Sequence, residues 1–340
     1  MPIMRHLTGT SSFRFRACRA HERDREYIMN IEDLDNMVIE MGAGSQLVLI
    51  AILGTMMFAV ALGLRPQHFA FFKTDPKHYF TGVVAQILGL PLLTLGLVYA
   101  LNPPPSLALG MILVACCPGG NISNILALFA RANTALSVSM TATSSVAAAL
   151  ITPISILFWS SLYGPTRALL NEINFDAVDF LLQTLLILGL PILLGMLTVW
   201  KLPKLADKLQ KPLAMISAIG LVLIILKGFY DYRELVLGAG MMIFPLVVLH
   251  NALALALGYF SGRLSGADVP TRRAMTFEIG IQNSGLGFII LLTQLNGLGG
   301  TAGITGMWGL WHMIGGGILV FLFRNADRRA EKKNEATGLT

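Results

Sequence analysis

Nine long blocks of apolar residues, separated by short polar connections, account for most of this chain. They cover approximately 46–64, 79–101, 105–130, 134–161, 178–200, 212–229, 237–261, 274–296 and 301–323. Each is close to the roughly 20 residues that a helix needs to cross a bilayer core. The pattern predicts an all-α polytopic membrane protein with nine transmembrane helices. Composition agrees: of 340 residues, 54% are hydrophobic and only 13% charged, against about a quarter charged in soluble domains. The mean hydropathy is +0.67. A net charge of +6 does not read as nucleic-acid affinity here, because excess Lys and Arg in a membrane protein gather in its cytoplasmic loops. The expected surroundings are lipid bilayer, with no nucleic acid. Cys116 and Cys117 are adjacent inside a block, which suits neither a disulfide framework nor a zinc site, so they read as small packing residues.

Charge then orients the blocks. Arg65, Lys73 and Lys77 follow the first, Arg131 the third, and Lys201, Lys204, Lys208 and Lys211 the fifth. Arg263, Arg272 and Arg273 follow the seventh, and Arg324, Arg328, Arg329, Lys332 and Lys333 the last. The intervening connections are uncharged, acidic (Glu172, Asp176, Asp179) or mixed (Asp231, Arg233, Glu234). Basic loops on every second connection place the N-terminus outside and the C-terminus inside, and the expected location is a bacterial cytoplasmic membrane. Residues 1–45 form a polar extension without the apolar core of a secretory signal. Its six arginines between Arg5 and Arg25 sit badly outside the membrane. An organelle transit peptide is weakened by Glu22, Asp24 and Glu26. The favoured readings are an extension without fixed structure, or a sequence that properly starts at Met29. Residues 46–325 form the membrane unit and 326–340 a basic cytoplasmic tail.

Two blocks are interrupted. "CCPGGNISN" at 116–124 puts Pro118, Gly119 and Gly120 in the middle of the third, and "EIGIQNSG" at 278–285 puts Gly280, Asn283, Ser284 and Gly285 in the eighth. Non-helical backbone at membrane depth must be buried in protein or line a wet cavity. A matched pair of breaks, one in each half of the chain, points to a transporter site built on inverted repeats. Glu278 is the one carboxylate inside the blocks away from their ends, and such a residue costs about 2.5–3.5 kcal/mol to insert, which marks a functional cavity. Gln282 lies four residues on, Ser137 and Thr141 are also four apart, and Gln86 is the notable polar group of the second block. These hydroxyl, amide and carboxylate oxygens are the hard ligands that alkali cations prefer. Unwound carbonyls coordinate Na+ in such sites, while half-helix N-termini attract anions. A sodium-coupled carrier of an organic anion uses all of these residues.

At these positions the chain resembles the bile acid:sodium symporter family, across roughly 46–325. The matching stretches are "CCPGGNISN", "ALSVSMTATSS" after it, "AQ" at 85–86, "VVLHN" at 247–251, "EIGIQNSGLG" at 278–287 and "WH" at 311–312. The resemblance implies a panel domain (46–64, 178–200 and 212–229) moving against a core domain (79–161 and 237–323), with the two broken helices crossing in the core. It implies two coupling Na+ ions. The first would be held by Ser123, Asn124, Ser137, Thr141 and Glu278. The second would use Gln86, Glu278, Gln282 and backbone carbonyls near Ile279 and Ile281. Asn121, Asn283 and His312 are the candidates for facing the substrate, a small organic anion that is bile acid-like or a simpler carboxylate. This sequence departs from the family at Met313, where Asn is common. At Asn121 it resembles animal rather than bacterial members, and it lacks the first helix of ten-span relatives.

Rival readings keep the same scaffold with a proton on Glu278, or run it as an uncoupled carrier or exporter. A remote alternative is an intramembrane hydrolase with Ser284 as nucleophile and His312 as base. No G-x-S-x-G surrounds Ser284.

Overall fold

The computed structural model describes Asp35, Ile39 and residues 43–337, apart from Ala70, Asn174, Tyr232 and Asn296. The expectations for the rest of the extension, Met29 included, lie outside the described residues. Among the described residues there is no strand, and two chain segments meet in an isolated bridge. Helix α1 is Ala43–Leu62, α2 the short Phe71–Thr74 and α3 Pro76–Val84. A π turn, Ala85–Gly89, joins α3 to α4, Leu90–Leu101. The third block is two helices, α5 Pro105–Ala115 and α6 Asn121–Phe129. Then come α7 Thr134–Leu162, α8 Gly164–Glu172, α9 Ala177–Lys201, α10 Pro203–Asp231 and α11 Arg233–Leu264. The eighth block is likewise split into α12 Val269–Gly280 and α13 Ser284–Gln294, and α14 is Gly299–Thr337. Five helical stretches among the described residues are long and apolar enough to cross a membrane: Pro76–Leu101, Thr134–Leu162, Ala177–Lys201, Gly240–Leu264 and Gly299–Asn334. The protein is an all-helical polytopic membrane protein.

Helix starts follow local chemistry. Proline opens α3, α5 and α10, where its missing N–H costs nothing. Asn133, Asp176, Asp268 and Asn283 cap α7, α9, α12 and α13 by accepting from backbone N–H groups of the first turn. Asp268 accepts from the Thr271 N–H at 2.9 Å. The Thr271 side chain and N–H hold its carboxyl below the usual carboxylate range. Its contribution is therefore present above the unfolded-state pKa and is lost as pH falls through the lower folded value. Asp268→Ala is expected to cost about 1 kcal/mol at neutral pH. That deficit, read by thermal unfolding, should shrink once acid protonates the wild-type carboxyl.

Helices α1, α9 and α10 pack on one another. A Cβ on Gly195 of α9 would lie 3.0 Å from the Phe58 carbonyl oxygen of α1, so glycine sets how close these two helices come. The same device operates where α11 crosses α12: a Cβ on Gly258 would stand 2.5 Å from the Met275 oxygen and 2.7 Å from the Thr276 Cα. Helices α5, α12 and α13 are buried along most of their length.

The polar segment after residue 323 differs from the expected separate tail, because α14 runs on unbroken to Thr337. No Gly or Pro interrupts 324–337, and Ala, Arg, Glu and Lys there are good helix formers. Ion pairs hold the extension: buried Arg273 donates to Asp327 at 2.5 and 3.0 Å, and Arg131 meets Glu331 at 3.0 Å. Arg273 also donates to the Ala130 carbonyl at 2.8 Å, tying the end of α6 to α12 and α14. At the opposite end of α5, Asp35 accepts from the Ser106 N–H at 2.7 Å, and the Ile39 N–H donates to the Gly297 carbonyl at 2.7 Å.

Candidate functional site

The two interruptions meet. Gly119 and Gln282 form an antiparallel bridge, in which the Gly120 N–H donates to the Ile281 carbonyl at 3.1 Å and the Asn283 N–H to the Pro118 carbonyl at 2.8 Å. Backbone that has left helical form at this depth has no lipid partner, and each break supplies the other's missing hydrogen bonds. Side chains satisfy more of it. The Gly119 N–H donates to Ser144 Oγ at 3.2 Å. The last carbonyls of α12 accept from Gln86 Nε2 (Glu278 O, 3.2 Å), Gln282 Nε2 (Ile279 O, 2.7 Å) and Asn251 Nδ2 (Gly280 O, 2.7 Å).

Glu278 is fully buried and faces α6 and α7. Its Oε1 accepts from Ser123 Oγ at 2.6 Å and from Ser137 Oγ, and its Oε2 accepts from Thr141 Oγ1 at 2.7 Å. The same three hydroxyls approach other acceptors: Ser123 the Gly120 carbonyl at 2.7 Å, Ser137 the Asn124 Oδ1 at 2.8 Å, and Thr141 that Oδ1 at 3.4 Å. A hydroxyl carries one hydrogen. Three hydrogens therefore serve twice as many oxygen–oxygen approaches, leaving a buried set with surplus lone pairs and a single formal negative charge.

A second group lies on the other side of the Glu278 backbone. Gln86 sits on the π turn, whose extra residue per turn is a device found at functional sites. Gln86 and Gln282 are both buried, and each keeps an Oε1 with no hydrogen-bond donor among the described residues. Gly119 stands between the groups: a Cβ there would lie 2.9 Å from Glu278 Oε2 and 3.0 Å from Gln86 Nε2. The first set is hydroxyl, amide and carboxylate oxygens, and the second is side-chain amide and backbone carbonyl oxygens. Among the described residues there is no cluster of three or more His, Cys, Asp or Glu side chains. Cys116 and Cys117 are buried and free, and line a recess of about 20 Å³ together with Gln86, Pro118 and Ser144.

Asn121, Asn283 and His312 line a different space, a cleft of about 230 Å³. Met56 and Val60 of α1, Ala214 to Leu226 of α10, and Gly309 to Met313 of α14 close it, and both breaks form its floor. The first turns of α6 and α13 open onto this cleft. His312 Nδ1 lies 2.6 Å from the Trp308 carbonyl; a carbonyl only accepts, so Nδ1 carries the proton. Met313, the departure noted in the sequence, is part of the lining. Ser284 lines the cleft too, but no hydrogen bond joins it to His312 among the described residues.

The structure thus brings the expected residues into three neighbourhoods: Ser123, Asn124, Ser137, Thr141 and the Glu278 carboxylate; Gln86, Gln282 and the Glu278 and Ile279 carbonyls; and Asn121, Asn283 and His312. The Ile281 carbonyl is taken by Gly120. Sequence reasoning missed Ser144, Asn251 and the part of Gly119. Ser144 was within reach, standing one turn from Thr141 on the face that carries Ser137. Asn251 lay inside a quoted motif with nothing to reveal its partner.

A helical membrane protein whose paired broken helices present polar groups at mid-depth has the build of a transporter. A model of the sodium bile acid symporter family matches residues 50–238, which includes the first break and ends before the second. The chain belongs to this family, whose members are transporters and not enzymes. It is 35% identical over 235 residues to an uncharacterized sodium-dependent transporter of Bacillus subtilis (strain 168), a match covering 69% of this chain and 70% of the relative. It is 34% identical over 253 residues to a probable chloroplastic sodium/metabolite cotransporter of Arabidopsis thaliana, covering 74% of this chain and 60% of that longer protein. The ileal sodium/bile acid cotransporter of Homo sapiens is 28% identical over 244 residues, covering 70% of this chain and 67% of the relative.

Proposed function

We propose that this protein is a sodium-coupled symporter that imports a small organic anion by alternating access. The observation that carries the reading is the surplus of oxygen lone pairs around Glu278, with the two donor-less amide oxygens of Gln86 and Gln282 beside it. Ser123, Asn124, Ser137, Thr141 and Glu278 would hold one Na+. Gln86, Gln282 and carbonyls of the unwound α12 end would hold the second. Nine spans with the N-terminus outside fit the charge of the loops. In this arrangement α1, α9 and α10 form the panel and the remaining spans the core, in two inverted halves. The relatives named for sodium-dependent transport support the coupling ion.

The substrate's carboxylate docks at the first turns of α6 and α13, where free N–H groups and the positive helix ends favour an anion. Asn121, Asn283 and His312 then orient it. The cleft, at about 230 Å³, is smaller than the ~300–1,000 Å³ of pockets for drug-sized ligands, which favours a compact carboxylate over a bulky sterol acid. Its placement between panel and core couples occupancy to their relative movement. Two Na+ with a monoanion carry one net charge inward, adding about 2.3 kcal/mol of drive per 100 mV.

The test is uptake into proteoliposomes of a panel of labelled monocarboxylates, from 2-keto acids to bile acids, under an imposed Na+ gradient or an imposed pH gradient. Sodium-driven, membrane-potential-enhanced accumulation of a compact member is the expected result. Accumulation driven by pH alone would establish the proton-coupled carrier instead.

A further inference from the structure

Helices α11 and α14 leave a groove of about 610 Å³ between them, with Asn251 and Thr276 at its base. It is walled by Leu255, Tyr259 and Phe260 on one side and Ile318, Leu322 and Phe323 on the other. Phe260, Ile318 and Leu322 are each about half exposed, so the groove opens to whatever surrounds the helix bundle. One end is strongly cationic. The Arg272 guanidinium lies 5.4 Å over the Tyr259 ring, with NH1 3.4 Å from the Tyr259 hydroxyl and NH2 donating to the Ala267 carbonyl at 3.1 Å.

Arg273 stacks on Phe323 at 4.9 Å, on the other wall, and is neutralised by Asp327. Arg272 makes no contact ion pair among the described residues, although the Asp268 carboxylate one turn earlier feels its charge, and its Nε is buried with no acceptor among them. The groove-facing stripes extend the same way. Residues 252, 255, 256 and 259 continue at helical spacing to Arg263, and 315, 319, 322 and 326 to Arg329, both exposed.

We infer that this groove is a binding site for an anionic glycerophospholipid of the surrounding bilayer, its acyl chains along α11 and α14 and its phosphate on Arg272. The apolar length suits hydrocarbon and nothing charged. The Arg272 guanidinium, with Arg263 and Arg329 further along the two stripes adding to a net positive end against Asp268, suits a phosphate diester, and basic pockets between spanning helices bind such headgroups. A zwitterionic lipid brings a cationic group to the same end and is disfavoured by it. None of the side chains proposed for ion or substrate lines the groove, and its test does not involve transport.

Delipidated protein in detergent is titrated with phosphatidylglycerol or phosphatidylcholine and unfolded thermally. Phosphatidylglycerol should raise the wild-type Tm by about 2–4 °C more than phosphatidylcholine. Arg272→Gln should keep its lipid-free Tm and lose that difference. Equal stabilisation by the two lipids, or an unchanged preference in Arg272→Gln, would overturn the proposal. Should Arg272→Gln not fold, wild-type protein is crosslinked with a photoactivatable phosphatidylglycerol. Adducts on the α11 and α14 peptides support the site, and adducts confined to other helices reject it.

Discussion

Glu278→Gln removes sodium-dependent stabilisation and sodium-driven uptake together. Glutamine keeps the shape of the side chain, and its amide can accept from one hydroxyl while donating to another, so Ser123, Ser137 and Thr141 keep partners at similar distances. What disappears is the formal negative charge and one set of lone pairs, in a place where no other carboxylate approaches among the described residues. An ion that binds only the folded state stabilises it by RT ln(1 + [L]/Kd), about 2.7 kcal/mol at a hundredfold excess over Kd. The wild-type protein in NaCl should therefore unfold several degrees above the same protein in equimolar choline chloride, a control that holds ionic strength constant. The variant should unfold at one temperature in both salts. Retention of the sodium shift by the variant would remove Glu278 from the ion site and leave the oxygen cluster as a structural knot.

Much of this site was legible because its chemistry conflicts with its surroundings. A carboxylate at 278, and Pro-Gly-Gly at 118–120 inside an apolar run, break the rule that buried spans hide their backbone and carry no charge. Only a functional cavity repays the conflict. The four-residue spacing of Ser137 and Thr141 is equally local, and α7 keeps it. The unread parts depend on distant partners. The π turn at 85–89 has no residue signature of its own; it is set by what Gln86 meets, the carbonyl of a residue almost two hundred positions away. The bridge between Gly119 and Gln282 and the grip of Asn251 on Gly280 are of the same kind. The continuation of α14 was missed because a polar run reads as a tail until Arg131 and Arg273 are seen to hold Glu331 and Asp327. Residues 35 and 39, read as part of a structureless extension, touch Ser106 and Gly297 through one side chain and one backbone group, contacts no pattern announces.

Adding one methyl group at Gly119 separates the ion reading from a purely structural one. Gly119 and Gly120 are adjacent, neither holds a backbone conformation reserved to glycine, and both belong to the bridge. They differ in what a Cβ would meet. At Gly119 it would stand 2.9 Å from Glu278 Oε2 and 3.0 Å from Gln86 Nε2, tighter than nearly all real contacts; at Gly120 it would lie 3.4 Å from the Gln282 carbonyl oxygen. Gln86 is buried and pinned to the Glu278 carbonyl, so the Gly119 methyl displaces the two groups that face each other across the cradle. Gly119→Ala should therefore weaken sodium binding by at least tenfold, about 1.4 kcal/mol, as read from the sodium dependence of Tm. Gly120→Ala should shift that midpoint by less than about threefold. The comparison holds helix propensity, backbone entropy and span hydropathy nearly constant and varies only the space beside Glu278. An equal loss in both variants would mean that the break, and not the space it encloses, sets sodium affinity.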